Sequence, residues 1–378
     1  MTALRNDIDP DGLLEYSVVF TDRSLNHMSR RFQAIMRDIS ATLREVYQAS
    51  AVAVVPGGGT YGMEAVARQF AQDKRVLVIR NGFFSYRWSQ IFAAARIPAH
   101  ETVMKAAPME SGPNPAYAPA PIEQVVATIA KEKPALVFAP HVETAAGVIL
   151  PDDYLKEVAL ATHAVGGIFV LDCIASGTVW VDMQALGVDV LISAPQKGWS
   201  ASPCAALVML SPRAEALLAE TQSSSFAMDL KKWRQIMQAY ENGGHAYHAT
   251  LPTDALRQFH TAMQEAQAIG FDKLKNAQLE LGRRARAMIA SKGYKSLAAL
   301  GFTAPGVVVS YTTDPDIHNS SKFARYGFQT AAGVPLMCDE AADFRTFRVG
   351  LFGLDKLENI ERTVTYLGEA LDKVAEPG

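Results

Sequence analysis

The sequence predicts an α/β protein: a mostly parallel sheet covered by helices, followed by a smaller α+β unit. Three observations carry this reading. Through the first two thirds of the chain, short continuous runs of Val, Ile, Leu and Ala alternate with longer segments of helical spacing, the pattern of strands buried on both faces. The residues with chemistry to offer fall at or just after the ends of those runs, where open α/β sheets gather their ligands. After about residue 255 the order changes to two long helical segments, two strand-like runs and a closing helix. That change sets expected domains at 1–255 and 256–378.

In chain order, Ser24 to Gln48 reads as a helix, with Met28, Phe32, Ile35, Ile39, Leu43 and Val46 on one face. Ala51 to Val55 is a short apolar strand that ends in Pro56-Gly57-Gly58-Gly59, and Gly62 to Phe70 is a helix. Val76 to Ile79 is a strand and Phe84 to Ala95 a helix. Pro108 to Pro121 holds five prolines and reads as a surface loop. Ile122 to Lys131 and Asp152 to His163 are helices, each followed by a strand, Leu136 to Ala139 and Gly167 to Leu171. Val188 to Ser193 and Ala206 to Leu210 are further strands. In the second unit, Leu256 to Ile269 and Phe271 to Lys292 are long helices, Val307 to Tyr311 and Phe344 to Val349 are strands, and Leu357 to Val374 is an amphipathic helix.

The chain has 378 residues, 49% of them hydrophobic and 20% charged, with formal net charge -3. No basic block is present, so no nucleic-acid partner is expected. No apolar run is long enough to span a bilayer, and Met1 to Asp7 lacks an apolar signal region. Cys173, Cys204 and Cys338 show no paired spacing, which points to a reducing cytoplasm, and no metal is expected.

Lys197 lies in Ser193-Ala194-Pro195-Gln196-Lys197-Gly198-Trp199, downstream of Asp172, which ends the run Gly167-Ile168-Phe169-Val170-Leu171. A lysine amine forms a Schiff base with an aldehyde cofactor, and a buried aspartate holds a pyridinium nitrogen protonated. These are the two protein groups that pyridoxal phosphate (PLP) chemistry most needs. Taken singly, each also fits a surface lysine and a helix-capping aspartate. The Gly57-Gly58-Gly59-Thr60 turn offers backbone donors and a helix N-terminus to a phosphate, or is a plain glycine turn with Thr60 as cap. Asn81-Gly82-Phe83-Phe84 supplies aromatics that stack on a ring or fill the core. Glu143-Thr144 supplies a hydroxyl, while His141 and Cys204 read as structural. Arg345 and Arg348 share a strand, and either would clamp a carboxylate.

Together these segments resemble the class V aminotransferases of the fold-type I PLP enzymes, in the branch of alanine–glyoxylate and serine–pyruvate aminotransferases. The resemblance covers roughly residues 50–375 and rests on motifs in order: Gly-Gly-Thr, Asn-Gly-Phe-Phe, Glu-Thr-x-x-Gly, the strand-end Asp, Ser-x-x-Gln-Lys-Gly and Arg-Val-Gly. It implies a large PLP-binding domain on a seven-stranded sheet and a small C-terminal domain. It implies transfer of an amino group from a small L-amino acid to a 2-oxo acid such as glyoxylate or pyruvate, by ping-pong kinetics. Lys197 is implied as the Schiff-base lysine and proton shuttle, and Asp172 as the partner of the pyridine nitrogen. Gly58, Gly59, Thr60 and Gln196 are implied around the phosphate. Phe84 takes the stacking position, Ile174 the opposite ring face, Thr144 a hydroxyl position near the ring, and Arg348 the substrate carboxylate. Tyr247 and Thr250 are implied to reach the phosphate of a neighbouring subunit, which makes the active unit a homodimer.

The chain departs from the family at Val19 to His27, where relatives carry a Pro-Gly-Pro segment. Asp22, Arg23 and His27 are polar there, and Arg23 is either a second anion contact for a dicarboxylate or phosphonate, or a partner of Asp22. The competing activity is a lyase or desulfurase. A desulfurase needs a reactive thiol, and the acidic neighbours of Cys338 are expected to raise its pKa. A non-catalytic PLP-binding protein is the third possibility.

Overall fold

The computed structural model describes residues 5–19 and 21–375, so Phe20 in the Val19 to His27 stretch and Met1 to Leu4 lie outside the described residues. Its centre is a seven-stranded sheet. The strands are β1 (Ala51–Pro56), β2 (Arg75–Arg80), β3 (His100–Lys105), β4 (Leu136–Pro140), β5 (Ile168–Asp172), β6 (Val190–Ser193) and β7 (Ala205–Leu210). Their order is β1-β7-β6-β5-β4-β2-β3. From β6 through β5, β4 and β2 to β3 the neighbours are parallel, whereas β7 runs antiparallel to both β6 and β1. Four strands, β4 to β7, are buried at every residue, as their unbroken apolar runs predict.

Helices follow from the strands they connect. α1 (Arg30–Tyr47) precedes the sheet. α2 (Gly59–Phe70), α3 (Phe83–Ala95), α4 (Ile122–Glu132) and α5 (Asp152–Ala164) link successive strands from β1 to β5. α1 begins later than the apolar spacing suggests, because the Ser29 hydroxyl accepts from the Phe32 amide at 3.1 Å and fixes the start there. α2 begins earlier than Gly62. Gly58 is its cap, so Thr60 lies within the first turn and is not the cap.

Other departures have local causes. β3 escapes a search for apolar runs because its residues are only half-buried or exposed, unlike those of β1 at the other edge of the sheet. α6 (Pro212–Glu220) and α7 (Leu230–Glu241) carry Ser211 and Asp229 caps that were not read. The proline-rich stretch is not all surface loop: Ala107–Pro108 pairs with Tyr117–Ala118, and Tyr117 is buried beside Ala298.

The second sheet is antiparallel and holds β8 (Val307–Tyr311), β9 (Ala331–Ala332) and β10 (Thr346–Gly350) in the order β8-β10-β9. α8 (Thr253–Ile269) spans residue 255 and packs on both α1 and α9 (Phe271–Ser291). The closing helix is two: α10 (Leu354–Glu358) and α11 (Ile360–Ala375). They break at Asn359, whose side-chain amide donates to the Asp355 carbonyl at 2.9 Å. α11 packs along α9. Among the described residues no helix is long and apolar enough to cross a membrane.

The loop after β6, which carries Lys197, is held by its neighbours. The Trp199 indole is fully buried, with Trp180, Phe259 and Phe271 rings 4.7, 6.0 and 6.0 Å away. Gly198 packs backbone to backbone on the loop after β5: an added Cβ would sit 2.0 Å from the Gly177 carbonyl oxygen. Gly198→Ala should therefore destabilise the protein by about 1–3 kcal/mol or more, since the added Cβ would meet backbone atoms and no side-chain end that could give way. Urea denaturation checks this, and a midpoint equal to that of the unaltered protein would contradict the contact.

Candidate active site

Strand ends β1, β4, β5 and β6 open into one cavity of about 370 Å³, closed on the far side by the second sheet. Each element delivers one group. The turn after β1 brings Gly59 and Thr60, the stretch after β4 brings Thr144, and β5 ends in Asp172 with Ile174 just beyond. The loop after β6 brings Gln196 and Lys197. Phe84 comes from α3, and Arg348 comes from β10 across the cleft. Of the two arginines the sequence offered, Arg348 lines the cavity and pairs with Val309 and Ala331 in the second sheet, while Arg345 precedes β10 and is exposed.

The charges in this cavity lack partners. Asp172 is 9% exposed, and its Oδ1 accepts from the Ile174 amide at 2.9 Å. Burial pushes its pKa up to about 7, Glu143 adds to the rise, and the Ile174 amide and Arg87 oppose it. Burial, and then the charge of Arg348, hold the Lys197 amine below its ordinary value. The Lys197 Nζ stands 5.2 Å from the Phe352 ring centre. Burial also lowers Arg348, against the pull of Glu143. Arg348 spends Nε on the Ala332 carbonyl at 2.7 Å, which fixes the guanidinium and leaves its two Nη groups for an anion.

These residues fit a phosphorylated aldehyde with a basic ring nitrogen. An added Cβ at Gly59 would lie 2.4 Å from Ile174 Cδ1, so only a bare backbone lets the turn pack directly against the Ile174 side chain. Gln196 makes no hydrogen bond among the described residues, and its Oε1 is buried. A buried carboxyl with one oxygen uncommitted, an amine of lowered pKa and open amides at a helix N-terminus are the complementary donor set.

Four expected residues lie outside this cavity in the single chain. Gly58 caps α2 and does not line the cavity. Tyr247 is 60% exposed and, with Thr250, lines a separate depression that also holds His27. The Arg23 side chain is 78% exposed and pairs with Asp22 at 3.4 Å. His141 is structural, buried with its Nδ1 2.7 Å from Ser176 Oγ.

Three residues of the site were not read from the sequence. Phe352 walls the Lys197 side. Arg87 lines the cavity one helical turn after Phe84, a spacing that flags it once Phe84 is placed. Glu143 is fully buried and accepts from the Phe84 amide (3.2 Å), the Ser85 amide (2.8 Å), Ser85 Oγ (2.7 Å) and the Ala145 amide (2.9 Å). It thereby ties the Phe84 helix to the Thr144 turn. Cys338 is buried, and burial above all, with Glu143 and Glu340, pushes its thiol up to about 12. Burial, not the adjacent acidic residues alone, makes it unreactive.

A sequence model of the family described as aminotransferase class-V matches residues 13–304. The 2-aminoethylphosphonate–pyruvate transaminase of Syntrophobacter fumaroxidans is 26% identical over 353 residues, covering 91% of this chain and 90% of that protein. The alanine–glyoxylate aminotransferase of Oryctolagus cuniculus is 25% identical, covering 93% and 88%. Among solved structures, an alanine–glyoxylate aminotransferase from Nostoc sp. superposes with a TM-score of 0.78 at 20% identity, over 93% of this chain and 89% of that one.

The raised Asp172 pKa has a consequence for stability. The fold favours the protonated carboxyl, so its contribution is intact below about pH 4 and is lost as pH rises through about 7. Stripped of cofactor, Asp172→Asn should melt at a higher temperature than the unaltered protein at about pH 8, and the gap should close toward about pH 4. Thermal melts across that range check the sign, and a gap independent of pH would contradict it.

Proposed function

The chain belongs to the class-V aminotransferases, PLP-dependent transaminases of fold-type I, and on that premise we propose that it moves an amino group from a small L-amino acid to pyruvate or glyoxylate in two half-reactions of ping-pong type. The observation that carries this reading is the convergence of Lys197, Asp172 and Arg348, from three separate elements, on one cavity. When bound, PLP supplies an aldehyde that captures the amine and a ring that withdraws electrons from the substrate Cα. Lys197, its pKa lowered by burial and Arg348, holds a larger share of neutral amine for covalent attachment to that aldehyde and for moving the Cα proton. Asp172 holds a proton at the ring nitrogen, and a cation there in turn relieves the cost of its burial. Phe84 and Ile174 would hold the ring, with the Thr144 hydroxyl beside it, and Gly58, Gly59, Thr60 and Gln196 would hold the phosphate. Arg348 binds the substrate carboxylate through the Nη groups left free by its bond to Ala332.

A phosphonate donor is the second reading, favoured by the 2-aminoethylphosphonate–pyruvate transaminase among the relatives. Arg348 would then hold the phosphonate in place of the carboxylate. A desulfurase is disfavoured by the buried, high-pKa Cys338. The proposed active unit is a homodimer in which Tyr247 and Thr250 reach the neighbour's phosphate. Their exposure outside their own cavity supports this. The proposed domains divide at residue 255, and a cytoplasmic setting suits three unpaired, buried cysteines.

Two variants test the roles. Lys197→Ala should lose both the visible absorption of the lysine–cofactor linkage and multiple-turnover transamination, and full activity in that variant would refute its assignment. Arg348→Lys should raise KM for α-amino acids on the order of 10- to 100-fold, because lysine cannot reproduce the two-pronged contact. An unchanged KM would move the carboxylate site elsewhere.

A further inference from the structure

We propose that Arg87 is the charge partner of the cofactor phosphate and acts through and beside the Thr60 hydroxyl. This rests on the reading of the cavity as a PLP site. The phosphate of such a cofactor carries between one and two negative charges near neutral pH. The groups assigned to it, Gly58, Gly59, Thr60 and Gln196 with Tyr247 and Thr250 of the partner subunit, are all neutral. The N-terminus of α2 adds roughly half a positive charge. A dianion met only by these donors would be short of compensation in a half-buried cleft.

Arg87 supplies what is missing. Its Nη1 donates to Thr60 Oγ1 at 3.0 Å, across the gap between α3 and the first turn of α2. That bond occupies an oxygen lone pair and leaves the Thr60 O–H to donate, polarised by the guanidinium. The guanidinium carbon stands 5.3 Å from the Phe84 ring centre, so the same side chain braces the stacking ring from the helical turn behind it. Among the described residues Arg87 has no ion-pair partner and makes one side-chain hydrogen bond, which leaves most of its donors uncommitted. The other arginine of the cavity, Arg348, cannot take this part. It belongs to the second sheet and is fixed there by Ala332. The two guanidiniums thus divide the site, Arg87 at the phosphate turn and Arg348 at the substrate end.

The test compares two aldehydes that differ only in the phosphate. Full-length protein is stripped of cofactor and titrated with PLP and, separately, with pyridoxal, with binding followed by absorbance. The unaltered protein should bind PLP far more tightly than pyridoxal. Arg87→Gln should weaken PLP ~10- to 100-fold, the loss expected for a charged hydrogen bond, and leave pyridoxal within about twofold. Arg87→Lys, which keeps the charge without the fork, should recover part of that loss. Equal weakening of PLP and pyridoxal in Arg87→Gln would overturn the proposal, since it would mean that Arg87 acts only by bracing Phe84. Unchanged PLP affinity, or an Arg87→Lys variant as weak as Arg87→Gln, would overturn it too. If the unaltered protein binds pyridoxal as tightly as PLP, the phosphate-site reading fails first, and the role of Arg87 falls with it.

Discussion

A carboxylate sits at the end of a central strand, nearly excluded from water, with one backbone amide for company. Burial raises the pKa of Asp172 to about 7, and nothing in the chain itself fully relieves that cost. Across the same cavity an amine and a guanidinium are each held below their ordinary pKa by burial, and the guanidinium lowers the amine further. The fold therefore builds a cavity whose charges are incomplete: an acid without a cation at one wall, and cations without anions at the others. A cofactor with a protonated ring nitrogen, a reactive aldehyde and a phosphate completes all three at once, and a substrate carboxylate satisfies Arg348.

Rigid surroundings make such an arrangement possible. Asp172 is fixed by a strand with neighbours on both sides, β4 and β6. Lys197 is fixed by the buried Trp199 and by the close approach of Gly198 to Gly177. Phe84 and Thr144 come from different loops, and the Glu143 carboxylate binds them together with four donors. Glu143 also raises Asp172 and opposes the lowering of Arg348, so one buried anion both shapes the cavity and tunes it.

Much of this was legible in the sequence, and the limits are physical. Continuous apolar runs mark β1, β2 and β4 to β7 because those strands are covered on both faces. β3 carries His100, Glu101, Thr102 and Lys105, and looks like a loop because it is only half-buried and needs no such run. Strand-end chemistry made Asp172, Lys197 and the glycine turn visible. Arg348 was visible as a strand arginine, and its place in the cavity wall separates it from Arg345. Arg87 was hidden because a helix arginine normally reads as solvent-facing, and only the packing of α3 against α2 turns it inward. The role of Glu143 was hidden because three of its four donors are backbone amides, which leave no mark in side-chain patterns.

The central claim is that this charge-incomplete cavity, once loaded with PLP, exchanges amino groups. A single-turnover half-reaction tests it most directly. The PLP-loaded protein is mixed with L-alanine, with L-serine and with 2-aminoethylphosphonate, each without any 2-oxo acid, and the visible absorption of the lysine–cofactor linkage is followed. At least one donor should bleach that absorption and release one 2-oxo acid or aldehyde per site, and added pyruvate or glyoxylate should restore it. Unchanged absorption with every donor, or bleaching that no 2-oxo acid reverses, would contradict the claim.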